Sequence, residues 1–179
     1  EESDPDESNK YLQKSVQEGS EIAIEKYGQN LEDEEIYEEA AQLYKSAAER
    51  GLLIGYKKYA EFIINGYTID GDDLDLARKY MKKVADLGDS KDQFDYAEFL
   101  YQNFLDDSIE ERAIYFKKSA QKGYPKAFFR YAECLQNGDG VEQDLNEARK
   151  YYTQSFKEDP DSPTHYNLKR LKQQGLIDC

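Results

Sequence analysis

Four glycines close four apolar stripes in this chain, and their near-even spacing constrains the fold more than any other feature. They stand at Gly19, Gly51, Gly88 and Gly123, separated by 32, 37 and 35 residues. Before Gly88 the stripe reads Ala77, Tyr80, Met81, Val84, Ala85, which is the spacing i, i+3, i+4, i+7, i+8. The same spacing gives Ala40, Leu43, Tyr44, Ala47, Ala48 before Gly51. It recurs as Tyr115, Phe116, Ser119, Ala120 before Gly123 and as Tyr11, Leu12, Ser15, Val16 before Gly19. A fifth copy runs Ala148, Tyr151, Tyr152, Ser155, Phe156. That period is one face of an α-helix, and a glycine just past the last turn is the expected stop.

A second pattern follows each glycine: a small residue, then tyrosine beside another small residue. It appears as Ala23…Tyr27-Gly28, Gly55…Tyr59-Ala60, Asp92…Tyr96-Ala97 and Ala127…Tyr131-Ala132. Small side chains at a fixed place on a helix let a neighbouring backbone approach closely, and the aromatic fills the space between layers. Each unit is then a helical hairpin that cannot bury its apolar face alone, so stacked units share one core.

Residues 127–152 hold the fullest copy: Ala127…Tyr131-Ala132…Leu135…Gly138-Asp139-Gly140-Val141…Asp144…Glu147-Ala148…Tyr151-Tyr152. This run resembles the Sel-one-like repeat (SLR), a relative of the tetratricopeptide repeat. In that reading Gly138 ends the first helix, Gly138 to Val141 form the turn, and Asp144 caps the second helix. The resemblance implies an all-α fold, a right-handed α-α superhelix (solenoid) of about four SLR hairpins with partial helices at both ends. Residues 8–176 then make a single solenoid with units at about 20–51, 52–88, 89–123 and 124–159, a half-repeat at 8–19 and a terminal helix at 160–175. The chain departs from the family pattern in having no Trp, so Leu43, Tyr80, Tyr115 and Tyr151 stand at the usual Trp position. Asp92 and Arg112 stand where small residues are expected, at opposite ends of an antiparallel hairpin, which makes unit three the softest.

Charge narrows the function. With 24 basic and 38 acidic residues the net charge is −14, a poor match for nucleic acid or an anionic membrane. No apolar run approaches the ~20 residues of a membrane span. Residues 1–50 hold 15 of the acidic side chains, and residues 1–7 read as a solvated acidic leader. Sixteen tyrosines and eight phenylalanines argue that the rest folds, because disordered chains are poor in aromatics. Two cysteines, Cys134 and Cys179, make no disulfide framework. The reading favours the cytoplasm and leaves the ER lumen and secretion open.

No catalytic constellation is legible. His165 is the single histidine, and no motif sets Cys134 or a serine beside it. Cys134 reads as a buried thiol next to the core stripe. In Asp70-Gly71-Asp72-Asp73-Leu74-Asp75 the glycine is in the wrong place for a calcium loop, and acids at a helix N-terminus explain the run better. No metal site and no cofactor are implied.

What remains is a surface. In the resembled family the first helix of each hairpin lines the concave face. Counting 100° per residue, the side opposite the core carries Lys126, Phe129, Arg130, Glu133 and Asn137. The equivalent positions in the preceding unit are Lys91, Phe94, Asp95, Glu98 and Gln102, and before that Ile54, Lys57, Lys58, Glu61 and Ile64. A solvated face with pairs such as Lys57–Glu61 and Arg130–Glu133 is one explanation. The other is an interface: Phe94 and Phe129 stand at equivalent, exposed positions among five cations of an otherwise acidic protein. The resemblance implies a non-enzymatic adaptor or scaffold, the alternatives being an SLR-based, hydrolase-like enzyme or a passive spacer within a larger protein. The expected partner is a protein or peptide, acidic with apolar anchors; nucleic acid and direct membrane insertion are not expected.

Overall fold

The computed structural model describes residues 5–68, 73–104, 107–160 and 164–173, with side chains from residue 10 and, in the last stretch, from residue 166. Among the described residues the backbone forms helices and turns, with no strand. In chain order the helices are α1 (Pro5–Gln17), α2 (Glu21–Asp33), α3 (Tyr37–Glu49), α4 (Leu53–Ile64) and α5 (Leu74–Leu87). They continue as α6 (Ser90–Asn103), α7 (Ile109–Gln121), α8 (Pro125–Asn137), α9 (Leu145–Glu158) and α10 (Thr164–Gln173). The sequence suggests a single array; the chain divides into two compact units, Glu1–Leu87 and Gly88–Cys179.

The helix stops follow the glycines with one exception. Gly51 has φ +81°, its N–H donates to the Ala48 carbonyl at 2.9 Å, and the Leu52 N–H donates to Ala47 at 3.1 Å. Those two bonds satisfy carbonyls that the end of α3 would leave bare. Gly19 and Gly123 close α1 and α7 in the same way. Gly88 does not enter the left-handed region. Between α5 and α6 the chain has only Gly88 and Asp89, and Asp89 is already the cap of α6. There is no room for the wider turn.

In unit one, α2 packs on α3, α3 on α4 and α4 on α5, each helix meeting its sequence neighbour. The small residue opening α4 is required sterically: a Cβ on Gly55 would lie 2.2 Å from the Ala48 backbone nitrogen. The core residues include Ile24, Tyr44, Tyr59, Ala60, Phe62 and Ile63, all at most 2% exposed. Burial of each large side chain contributes about 1.5–3 kcal/mol. Helix α1 begins at Pro5, so residues 5–7, expected to belong to the leader, are helical. Proline suits a first helical position because it has no N–H to leave unpaired there. Residues 1–4 lie outside the described residues.

In unit two, α6 packs on α7, α7 on α8, α8 on α9 and α9 on α10. Gly138 takes φ +78° at the end of α8, and the Asp144 carboxylate accepts the Glu147 N–H at 2.9 Å at the start of α9. At three of the four usual Trp positions the replacement is the same, a tyrosine. Tyr80 meets Tyr59 edge-to-face at 5.2 Å, Tyr115 meets Tyr96 at 4.9 Å, and Tyr151 meets Tyr131 at 4.9 Å. The same tyrosine pair thus locks three hairpins, each worth about 0.5–1.5 kcal/mol beyond area burial.

The two irregular residues of the α6–α7 hairpin, Asp92 and Arg112, are both buried. Asp92 accepts the Asp89 N–H at 2.9 Å and completes a capping box with Asp89 at the head of α6. Arg112, 6% exposed, lies over the Tyr101 ring at 5.1 Å.

Candidate functional site

Helices α6 and α8 of unit two turn their core faces inward through Tyr96, Ala97, Leu100 and Tyr131, Ala132, Leu135. Their other faces, with the end of α9, border an open cavity of about 550 Å3. Its apolar surface comes from Phe94 on α6 and from Pro125 and Phe129 on α8. Phe94 and Phe129, read from the sequence as exposed, are half-buried. Phe94 packs 5.1 Å from the Tyr124 ring and 5.8 Å from Phe116, and Phe129 packs 5.8 Å from Tyr152. Rings from the loop before α8 and from α7 and α9 reach under them, which helical periodicity within one segment does not reveal.

One wall is a charge network. The Arg130 guanidinium grips Glu98 with two hydrogen bonds, Nε to Oε1 at 2.6 Å and Nη2 to Oε2 at 3.1 Å. It also donates from Nη1 to Glu133 at 3.2 Å and lies 4.8 Å from the Tyr101 ring. Burial works against the Arg130 charge, but the bonds to Glu98 and Glu133 outweigh it and hold the guanidinium above its ordinary range. Burial pushes the Glu133 carboxyl up, against the pull of Arg130. A two-pronged guanidinium–carboxylate grip is geometrically selective and stiff. It joins α6 to α8, 32 residues apart in sequence.

The remaining candidate residues divide by unit. Lys91 is exposed and paired with Asp95 one turn along α6. Lys126 is exposed at the cavity rim and has no ion-pair partner among the described residues. In unit one, Lys58 sits on α4 with its ammonium 3.5 Å from Glu32 and 3.7 Å from Glu61, over the Tyr44 ring at 5.9 Å. Lys57 beside it is half-buried, while Glu61 is exposed. Lys58, Lys91 and Arg130 are therefore neutralised by the protein's own carboxylates.

Four lining residues were not among the site candidates read from the sequence: Pro125 at the start of α8, and Ser155, Glu158 and Asp159 from the end of α9. A signal existed. Glu158-Asp159 sets two carboxylates at the C-terminal end of a helix, where the macrodipole favours cations.

Cys134 is not prepared as a nucleophile. Cys134 is 5% exposed, and burial pushes its thiol up to about 12, so it stays protonated near neutrality. Among the described residues no group of side chains has the arrangement of a metal site. Asp73 accepts the Leu76 N–H at 3.0 Å at the start of α5, while Asp70, Gly71 and Asp72 lie outside the described residues, as do the His165 side chain and Cys179. No described helix is long and apolar enough to cross a membrane.

A family model described as Sel1 repeat matches residues 1–20, 33–52, 57–89 and 125–159. It matches no residue of α6 or α7, the hairpin that contains Asp92 and Arg112. No curated protein matches the chain. Among solved structures, a Sel1 repeat protein from Oxalobacter formigenes aligns with TM-score 0.68 and 22% identity, over 83% of this chain and 63% of that one. The protective antigen c5321 of uropathogenic Escherichia coli, which displays an SLR fold, aligns with TM-score 0.75 and 22% identity, over 94% of this chain and 37% of that one. The chain thus spans less than two thirds of either. YrrB, a TPR protein with an unusual peptide-binding site, aligns with TM-score 0.53 and 15% identity, over 92% of this chain and 87% of that one. These likenesses concern the fold.

Proposed function

Because the chain belongs to the Sel1 repeat family, we propose that it is a non-enzymatic protein-interaction module that seats a segment of a partner protein in the cavity of α6, α8 and α9. The observation carrying this reading is the cavity itself. About 550 Å3 lies in the range of built ligand sites, and aromatic walls beside a few fixed polar groups are what such sites contain. Sel1 and TPR-like repeats are commonly interaction scaffolds and generally non-catalytic, and the protonated Cys134 thiol agrees with that. The unusual peptide-binding site named for YrrB is a precedent for a peptide on this kind of fold.

An apolar anchor suits the pocket between Phe94, Phe129 and Pro125. The Arg130–Glu98 pair supports the walls by holding the two helices in register. An acidic flank, expected from the cation count, loses its support because most of those cations are already paired.

The test is binding to a partner recovered by affinity purification. Phe94→Ala with Phe129→Ala should weaken binding at least about tenfold, since desolvated aromatics dominate interface energetics. Lys117→Ala, on α7 outside the cavity lining, should not. If the folded double variant binds like the parent, the cavity is not the site. A chain that recovers no partner at all would behave as a spacer.

A further inference from the structure

We propose that the uncovered face of α1, with the adjoining side of α2, docks an amphipathic helix of a second protein that carries tyrosine, a small residue and glutamate in succession. This surface lies in unit one and shares no residue with the cavity of unit two. The other hairpins show what lies bare here. Counted back from the closing glycine, Tyr11 of α1 stands where Tyr80 and Tyr115 stand on α5 and α7. Those two rings are met edge-on by Tyr59 and Tyr96, each from the helix before it in the chain. Helix α1 follows no such helix among the described residues, and Tyr11 is 65% exposed. Ser15 and Val16, further along the stripe, are only half-buried. Their counterparts, Val84 and Ala85 on α5 and Ser119 and Ala120 on α7, are at most 4% exposed.

The same repetition specifies the occupant. The helices that cover α5, α7 and α9 each carry the run Tyr-Ala-Glu, at residues 59–61, 96–98 and 131–133. The tyrosine meets the stripe, and the fully buried alanine lets the two backbones approach. The glutamate sets the register: Arg130, just before Tyr131 on α8, grips Glu98 on α6. Lys58, just before Tyr59 on α4, likewise turns back to α2, where Gln29 replaces the glutamate and Glu32 one turn on receives it at 3.5 Å. On α2 the corresponding cation is Lys26, just before Tyr27, and it is exposed with no ion-pair partner among the described residues. Ile22, one turn earlier on the same side, is 80% exposed and extends the apolar border. Bare to solvent, Lys26 contributes little. Under a covering helix its pair would be sheltered as Lys58 and Glu32 are, whose side chains are 19% and 20% exposed. The apolar contacts therefore supply the affinity, and the charge pair fixes direction and register. A second copy of this chain cannot supply the helix while folded, because Tyr59, Tyr96 and Tyr131 are each at most 1% exposed in their own hairpins.

The probe is a lactam-stapled, fluorescent peptide with the sequence of residues 125–137 and Cys134→Ala, titrated with the full chain by anisotropy. Tyr11→Ala in the protein, or Tyr131→Ala in the peptide, should weaken binding at least about tenfold, since large desolvated side chains dominate interface energetics. Glu133→Lys in the peptide should weaken it about threefold, and Lys26→Glu in the protein should restore that loss, which a merely structural effect would not do. Tyr11 and Lys26 are exposed, so both protein variants should keep the helical circular dichroism of the parent. Phe129→Ala in the protein, a change in the cavity, should leave binding of this peptide unchanged. Absence of binding, or binding that survives Tyr11→Ala, overturns the proposal; loss with Phe129→Ala instead would place the peptide in the cavity. Binding indifferent to Tyr131→Ala in the peptide would make the face an unselective apolar surface, which also overturns it. Sedimentation of the chain alone provides the remaining check: a dimer that Tyr11→Ala dissolves would assign the face to a second copy and overturn the proposal, whereas a monomer agrees with it.

Discussion

Tyr131 is 1% exposed between α8 and α9, with its ring edge-on to Tyr151 at 4.9 Å. Truncation to alanine empties that space and should cost about 3–5 kcal/mol in chemical denaturation, whereas Tyr131→Phe keeps the ring and should cost far less. The phenols also make stability sensitive to alkali. Burial pushes the Tyr131 hydroxyl from 10.0 up to about 12, and the Cys134 thiol from 9.0 up to about 12. Burial raises Tyr44 and Tyr152 as well, Tyr44 with help from the Glu32 carboxylate it donates to at 2.6 Å. The unfolded chain loses these protons first, so their contribution is complete below about pH 9, where all are protonated in both states. It is lost as pH rises from there to about 12. The melting temperature should hold from neutrality to pH 9 and then fall steeply, and a flat profile to pH 11 would contradict the buried phenols.

Helix ends carry the next prediction. Glu35 closes α2 at φ +59°, the one non-glycine residue in the left-handed region among those described. Its neighbours make the bonds a glycine stop would make, Glu35 N–H to Glu32 at 3.0 Å and Ile36 N–H to Leu31 at 2.8 Å. The geometry is right and the residue wrong. Glu35→Gly should therefore raise stability by about 0.5–1 kcal/mol, the steric relief less the entropy glycine loses on folding. Asp92→Ala should do the opposite, costing about 1 kcal/mol because the α6 capping box would lose a partner. Urea midpoints of the two variants should move in opposite directions. Asp92 looks like a fault when the repeat is read as a list of small positions; next to Asp89 it is a cap.

Across the molecule, each helix packs mainly on its sequence neighbours, so stability should vary along the chain. Tyr11 on α1 is 65% exposed, and that helix should exchange its amide hydrogens first. Within unit two, α7 should be less protected than α9. The cause is Arg112, a cation 6% exposed at a site that holds Ala40, Ala77 and Ala148 in the other hairpins, since burying a charge is costly even beside an aromatic face. Hydrogen exchange with peptide-level readout checks the order. Equal or greater protection of α7 would mean that the contacts of Arg112 fully compensate its burial.

Periodicity and turn chemistry were enough to locate the hairpins, their tyrosines, the small residue at Gly55 and the caps at Gly51, Gly138 and Asp144. Each depends on contacts between residues close in sequence, or on a spacing that one helix turn imposes. The same counting put Phe94, Glu98, Lys126, Phe129 and Arg130 on one side of their helices, and these five line one cavity. How deep they sit, and with which sign of charge, belongs to the tertiary structure. Phe94 is half-buried because Tyr124 and Phe116 come from other segments to meet it. Arg130 is neutralised by a glutamate from another hairpin, and the end of α9 brings Glu158 to the rim. A helix fixes the direction in which a side chain leaves the backbone, but its partners, and hence its burial and net field, are set by which helices meet in space.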